Sequence, residues 1–210
     1  MNKKILHDIS KYYSEKIIKF GNNPKGVDWK DEESQIIRFE KLIEVIRETD
    51  SFTINDLGCG YGKLFELLNS VYKTFNYKGY DLSGKMISNA VELYGINENA
   101  KFFLINGSSD MVLSDYTLAS GIFNVKMNYN HKEWERYIVS TINEMDKKST
   151  GGFSFNMLTK YSDKDKMRDD LYYADPCYFF DFCKNNFAKN VSLLHDYNLY
   201  EFTILVKKQS

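Results

Sequence analysis

Residues 56–62 read DLGCGYG, so that a carboxylate comes shortly before three glycines at alternate positions. Glycine lets a backbone pass close to a bound molecule, because it carries no Cβ. The preceding residues, FTINDL at 52–57, have the composition of a short buried strand. Ligands of an open parallel sheet bind beyond the carboxyl ends of its strands. The stretch therefore predicts a ligand site at the end of the first strand of a parallel sheet.

Outward from this stretch, strand and helix patterns alternate. We predict five strands, at 52–57, 77–82, 101–105, 116–120 and 152–158. The first helix between these strands is predicted from the spacing of its apolar residues, Leu64, Leu67, Leu68, Val71 and Phe75. Ser83 is the predicted N-cap of the next helix. A longer helix is predicted over 131–147, where Asn130 and Glu133 resemble a capping pair.

The C-terminal part differs from this alternation. Pro176 opens a short predicted helix, and two strand patterns follow closely, joined by turn-forming residues at 196–198. This arrangement predicts an antiparallel hairpin. With the preceding units, it indicates an α/β fold: a Rossmann-like three-layer sandwich with a seven-stranded, mostly parallel sheet that ends in the hairpin.

The N-terminal part reads as two helices, over 5–20 and 31–48, with a loop at 20–29 between them. Gly and Pro punctuate this loop, and it ends at Trp29. We interpret 1–50 as an N-terminal helical lid segment and 51–210 as the ligand-binding domain, within one compact domain overall. The loop is the part that we expect to close over a ligand.

Composition limits the classes of function. The chain has 210 residues and a net charge of −1, so no basic field predicts binding to nucleic acid or to a membrane surface. The three cysteines lack metal-ligand spacing, and no His, Asp or Glu cluster predicts a metal. The first residues, MNKKILHDISKYY, lack the apolar segment of a signal peptide. We therefore expect a cytoplasmic monomer or homodimer with free thiols.

Two carboxylates indicate the chemistry of the ligand. The glycines follow the pattern G-x-G-x-G, whereas the dinucleotide pattern is G-x-G-x-x-G, and Asp56 would repel a pyrophosphate. Asp56 favours a cationic amine instead. Asp81 ends the second predicted strand, where an acid can accept two hydrogen bonds from a ribose diol. S-adenosylmethionine carries both groups. Its adenine is expected beside Leu82 or Met86, with residues 106–108 at the adenine edge.

These motifs resemble a known family. TINDLGCGYG at 53–62, YKGYDLS at 77–83 and NGSSD at 106–110 look like motifs of the class I S-adenosylmethionine-dependent methyltransferases. The resemblance covers about residues 52–206 and implies S-adenosylmethionine as the cofactor. Ser108 occupies a position that is often acidic in that family. The cofactor contacts implied or predicted are Asp56, Gly58, Cys59, Gly60, Asp81, Leu82, Met86, Gly107, Ser108, Gly121 and Trp29.

A narrower resemblance concerns the acceptor. PKGVDW at 24–29, SGIFNVKMN at 120–128, LYYADP at 171–176 and LLHDYNLYEFT at 193–203 look like small methyltransferases of bacterial surface-polysaccharide gene clusters. Those clusters include capsule and O-antigen genes, and some members serve O-methyl phosphoramidate decoration. The resemblance implies a small soluble acceptor, either a sugar or a phosphoramidate or phosphate precursor.

Methyl transfer requires alignment of donor and acceptor, and it requires a general base only when the acceptor is a weak nucleophile such as a hydroxyl. The catalytic candidates are Asn124, His131 and His195. The candidates for acceptor binding are Arg38, Tyr172 and Tyr173. Gln35 and Arg38 share a helix face, from which they could reach the cofactor carboxylate or an acidic acceptor.

Two other functions fit the same sequence. One is a nucleotide-binding oxidoreductase with a Rossmann fold, against which Asp56 and the glycine spacing count. The other is a protein that binds S-adenosylmethionine without catalysing a reaction. Ligand titration separates the first from a methyltransferase, and a turnover assay separates the second.

Overall fold

The computed structural model describes residues 3–47 and 50–208. Within these ranges the helices are α1 (Lys3–Phe20), α2 (Glu32–Ile43), α3 (Lys63–Val71), α4 (Gly84–Tyr94), α5 (His131–Lys147) and α6 (Pro176–Asn186). The strands are β1 (Phe52–Leu57), β2 (Phe75–Asp81), β3 (Ala100–Leu104), β4 (Ser114–Ala119), β5 (Ser149–Leu158), β6 (Asn190–Leu194) and β7 (Glu201–Lys207).

All seven strands belong to one sheet, in the order β3-β2-β1-β4-β5-β7-β6. The pairs from β3 through β5 are parallel, whereas β7 is antiparallel to both of its neighbours, β5 and β6. The predicted fold class is confirmed, including the antiparallel hairpin. The strand order reverses between β1 and β4, and this switch point is where a parallel sheet opens a crevice for a ligand.

Apolar side chains cover both faces of the sheet. One buried cluster joins α1, α5 and α6 to the sheet, and a second joins α2 and α3 to its other face. Strand β7 shows the alternation: Ile204 and Val206 belong to the first cluster, and Leu205 belongs to the second. Because β1 and β4 are parallel neighbours, the β1–α3 and β4–α5 connections leave the sheet at the same edge.

Several predicted boundaries agree with the structure. Helix α5 occupies the predicted 131–147, and the side chain of its N-cap Asn130 accepts a hydrogen bond from the backbone of Glu133. Ser83 caps α4 as predicted. The helix predicted over 31–48 ends at Ile43, and its last predicted position lies outside the described residues.

The assignment of Phe75 to the helix after β1 is wrong. Helix α3 ends at Val71, and Phe75 is the first residue of β2. Its ring stacks on Phe52 of β1, with 5.8 Å between ring centroids. The spacing of four residues from Val71 matches a helix face, but Phe75 is apolar because it starts a buried strand.

None of the helices that the structure describes is both long and apolar enough to span a bilayer. In the predicted loop, Pro24–Val27 form a short 3-10 turn after α1. The division of the chain at residue 50 into a lid segment and a domain stays a prediction.

Candidate active site

The glycine loop begins directly after β1. The backbone N–H groups of Gly58 and Cys59 both donate to the carbonyl oxygen of Tyr80, at 2.7 and 3.1 Å, which ties the loop to β2. Gly60 has φ of +55°, and a Cβ there would lie 3.0 Å from Val27. A side chain at this position would be strained by the backbone and would press on the turn that covers the loop.

The carboxylate of Asp81 holds the loop from β2. One of its oxygens accepts from the N–H of Gly60 at 3.0 Å, and the other accepts from the N–H of Ser83 at 2.8 Å. Burial raises the pKa of Asp81 to about 6, although these backbone donors act in the opposite direction. Each carboxylate oxygen retains a lone pair that can accept a hydrogen bond from a ligand.

Asp56 lies deeper, at the end of β1. Its side chain accepts a 2.6 Å hydrogen bond from the hydroxyl of Tyr77 and is almost fully buried. Burial raises the pKa of Asp56 to about 7, while the bond from Tyr77 lowers it. A buried carboxylate of this kind becomes more favourable when a cation binds beside it.

One pocket at this edge of the sheet brings the predicted cofactor residues together. It is lined by all eleven of them: Trp29, Asp56, Gly58, Cys59, Gly60, Asp81, Leu82, Met86, Gly107, Ser108 and Gly121. Cofactor contact by each residue stays a prediction, but the shared pocket makes simultaneous contact possible.

Sequence reasoning missed part of the lining. Helix α1 contributes Leu6, Ile9 and Tyr13, and α5 contributes Tyr137 and Thr141. Leu6, Ile9 and Tyr13 are separated by three and then four positions, a spacing that puts them on one face of a helix. An apolar stripe along α1 was therefore visible in the sequence. What that stripe covers was not visible, because it depends on how α1 packs against the sheet.

Ser108 supplies an independent sign of a ligand. Its hydroxyl oxygen is buried, and no described residue gives it a hydrogen-bond partner. The residue is 4% exposed and lines the pocket. Buried hydroxyl groups are normally paired, so this one fits a partner supplied by a bound molecule.

Trp29 forms a wall of the same pocket. A Cβ at position 121 would lie 2.2 Å from the six-membered ring of Trp29, so the indole rests directly on the backbone of Gly121. The guanidinium carbon of Arg38 lies 4.1 Å from the centroid of the indole ring. Only glycine at position 121 leaves room for this contact.

The remaining predicted site residues are not among the described residues that line the pocket. The amide of Asn124 is buried, donating to Glu201 at 3.4 Å and accepting from the N–H of Leu158 at 3.0 Å. Arg38 is buried in an ion pair with Glu201. Their predicted roles in catalysis and acceptor binding stay predictions.

His131 and Tyr172 lie together beyond the end of β4. Their ring centroids are 5.5 Å apart, and the N–H of Tyr172 donates to the carbonyl oxygen of Asn124 at 2.8 Å. The hydroxyl of Tyr173 accepts from the N–H of Arg168 at 2.9 Å. His195 is exposed, with its ring 6.1 Å from that of Tyr161 and 6.4 Å from that of Phe202. The structure thus joins Asn124, His131 and Tyr172 through direct contacts.

Within residues 3–47 and 50–208, no group of three or more His, Cys, Asp or Glu side chains is arranged to hold a metal ion.

Comparison with known proteins gives the family. No family model matches the chain. The protein named "Putative methyltransferase Rv1506c" of Mycobacterium tuberculosis is 48% identical over 168 residues, which are 80% of this chain and 100% of that protein. The chain belongs to the methyltransferases. This family membership agrees with the motifs at residues 53–62, 77–83 and 106–110.

Solved structures confirm the fold of this methyltransferase. Magnesium protoporphyrin IX methyltransferase (ChlM) from Synechocystis PCC 6803, with bound SAM, has a TM-score of 0.66 at 12% identity and covers 99% of this chain and 98% of its own. The DhpI–SAH complex has a TM-score of 0.65 at 12% identity, with coverage of 99% and 98%. The methyltransferase described here has the class I fold that its motifs predict.

Proposed function

We propose that this methyltransferase transfers the methyl group of S-adenosylmethionine, in the cytoplasm, to a sugar or to a phosphoramidate or phosphate precursor of a bacterial surface polysaccharide. One observation carries the methyl-transfer assignment: the buried Asp56, the half-buried Asp81, the glycine loop and an unpartnered buried hydroxyl line the same pocket. When bound, S-adenosylmethionine supplies a methyl group on a positively charged sulfur that is open to in-line displacement.

The lining residues fit this cofactor. Asp81 accepts hydrogen bonds from the ribose hydroxyls while its other lone pairs hold the loop through Gly60 and Ser83. Asp56 is the counter-charge for the cationic amine. Ser108 donates to, or accepts from, the adenine edge. Gly58, Cys59, Gly60 and Gly121 leave backbone close to the ligand, and Leu82 and Met86 contact the adenine face.

The acceptor side is assigned to the residues beyond β4. Asn124, His131 and Tyr172 lie together there, on the loop after β4, the start of α5 and the segment after β5. A hydroxyl acceptor requires a proton acceptor, and the histidine candidates for it are His131, which belongs to this group, and His195. The enclosure of the pocket by α1, α2 and the turn at 24–27 favours a small acceptor over a macromolecule.

A turnover assay tests the assignment. The purified protein is incubated with S-adenosylmethionine and panels of nucleotide sugars, sugar phosphates and phosphoramidates, and S-adenosylhomocysteine formation is measured against a reaction without acceptor. We expect formation above this background with at least one panel. Binding of S-adenosylmethionine without turnover on any panel would support the non-catalytic alternative. Binding of NADH without binding of S-adenosylmethionine would support the oxidoreductase.

The loop at 20–29 is expected to become protected when the cofactor product binds. Val27 and Trp29 line the pocket, and the Asp28 carboxylate between them accepts a 2.7 Å hydrogen bond from Tyr12 on α1. Hydrogen exchange of this segment should slow at saturating S-adenosylhomocysteine, because the ligand fills the space beneath it. Helix α6, which is not among the described elements that line the pocket, serves as the internal reference. Equal exchange at 20–29 with and without ligand would show that the loop does not act as a lid.

A further inference from the structure

Trp29 is held from two sides. One side of the indole rests on the backbone of Gly121, and the guanidinium of Arg38 lies 4.1 Å from its centroid. A guanidinium over the face of an indole is attracted by the charge distribution of the ring. Arg38 therefore contributes to where the indole lies in the pocket wall.

Arg38 is itself held in place by buried groups. Its Nε donates to Glu201 Oε2 at 2.6 Å, and its Nη1 donates to the carbonyl oxygen of Ser34 at 2.6 Å. The two side chains of the ion pair are 9% and 1% exposed. Burial raises the pKa of Glu201, although Arg38 acts to lower it. Replacement of a buried ion pair by apolar residues is often neutral or stabilising, so fold stability alone does not explain this pair.

The remaining contacts close a ring. Glu201 Oε1 accepts from the side-chain amide of Asn124 at 3.4 Å, and the backbone N–H of Asn124 donates to the carbonyl oxygen of Gly121 at 3.3 Å. Trp29, Arg38, Glu201, Asn124 and Gly121 thus follow one another around a closed circuit, which we call the Trp29 clamp. The clamp connects α2, the start of β7 and the turn after β4.

We propose that Arg38 and Glu201 are positioning residues that fix Trp29 as a wall of the pocket in which the cofactor is proposed to bind. This role rests on the proposed function for its link to methyl transfer. The geometry assigns the Nε–H of Arg38 to Glu201 and places the guanidinium carbon 4.1 Å from the centroid of the Trp29 ring. Lysine would keep the charge but not the guanidinium group that lies over the indole, which makes Arg38→Lys the most informative change.

Acrylamide quenching of tryptophan fluorescence in the ligand-free protein tests the clamp. Trp29 is partly exposed and Trp134 is fully buried, so the quenched signal reports Trp29, and Trp29→Phe confirms the assignment. Arg38→Lys and Arg38→Met are each expected to raise the quenching constant by at least about twofold, because the indole is released from the wall. Lys41→Met is the matched control on the same helix, where Lys41 pairs with Glu44. Its quenching should equal that of the wild type.

Unchanged quenching in folded Arg38→Lys and Arg38→Met would overturn the proposal, since a merely structural ion pair would lower the melting temperature without exposing Trp29. Should Arg38→Met fail to fold, the double variant Arg38→Met, Glu201→Leu removes both charges together and must show the same rise in quenching. Because quenching needs neither cofactor nor acceptor, its result is independent of the turnover assay. Both variants should also weaken the binding of S-adenosylhomocysteine relative to Lys41→Met, because Trp29 lines the pocket that the cofactor is proposed to occupy.

Discussion

Asp81→Ala is expected to weaken S-adenosylhomocysteine binding by about 10- to 100-fold, measured by isothermal titration calorimetry. The change removes both acceptors for a ribose diol, which leaves buried hydroxyls unpaired. It also frees the N–H of Gly60, which Asp81 holds at 3.0 Å, so the glycine loop loses an orienting contact. The first effect destabilises the bound state, and the second loosens the loop that receives the ligand.

A similarly bonded carboxylate provides the control. Asp115 accepts hydrogen bonds from the backbone N–H and the hydroxyl of Thr53, at 2.7 and 2.8 Å, near the amino end of β1. Asp115 lies near the start of β4, at the edge of the sheet opposite the glycine loop. The affinity of Asp115→Ala for S-adenosylhomocysteine should therefore stay near that of the wild type. Unchanged affinity in Asp81→Ala would contradict the ribose assignment, whatever the behaviour of Asp115→Ala.

The cofactor end of the pocket was predictable because its determinants are local in sequence. Gly58, Cys59 and Gly60 are consecutive, and Asp81 ends the neighbouring strand, so strand assignment alone brings them together. The parallel pairing of β1 and β2 then fixes their proximity. A short motif at a strand end needs no knowledge of distant packing, and the same holds for the Asn130 cap that starts α5.

The rest of the pocket depends on contacts that sequence spacing does not encode. Arg38 and Glu201 are 163 positions apart, and their pairing depends on how α2 packs over β7. The sequence showed that Leu6 and Ile9 share a helical face, but not that the face covers a ligand pocket. Phe75 shows the related ambiguity in period: one apolar residue fits both the end of a helix stripe and the start of a buried strand.

Asp56→Asn is expected to stabilise the ligand-free protein above pH 7 and to abolish its binding of S-adenosylhomocysteine. Burial raises the pKa of Asp56 to about 7, well above that of an aspartate in the unfolded chain. A group with a raised folded-state pKa contributes its stability in full below the unfolded pKa, near pH 4, and that contribution is lost as pH rises through about 7. The loss amounts to roughly 4 kcal/mol as an upper bound.

Asparagine avoids that loss because it is neutral at every pH, and its carbonyl oxygen can still accept the hydrogen bond from Tyr77. In thermal unfolding, the difference between variant and wild type should therefore be small near pH 4 and grow to roughly 5–10 °C in favour of the variant at pH 8. Asp115→Asn should show the opposite sign. Although burial raises the pKa of Asp115, the hydrogen bonds from Thr53 hold it below the usual value, so that its charge stabilises the fold at neutral pH.

Saturating S-adenosylhomocysteine should reduce or reverse the difference in melting temperature between Asp56→Asn and the wild type at pH 8. Ligand at 100 times its dissociation constant stabilises the wild type by about 2.7 kcal/mol, whereas it does not stabilise the asparagine variant. This combination identifies Asp56 as a charge that the fold holds at a cost in stability and that a cationic ligand compensates. A variant that is less stable than the wild type at pH 8 without ligand would show that the Asp56 carboxylate is already compensated inside the protein. A variant that is more stable yet binds S-adenosylhomocysteine normally would show that the cationic amine of the ligand contacts another residue.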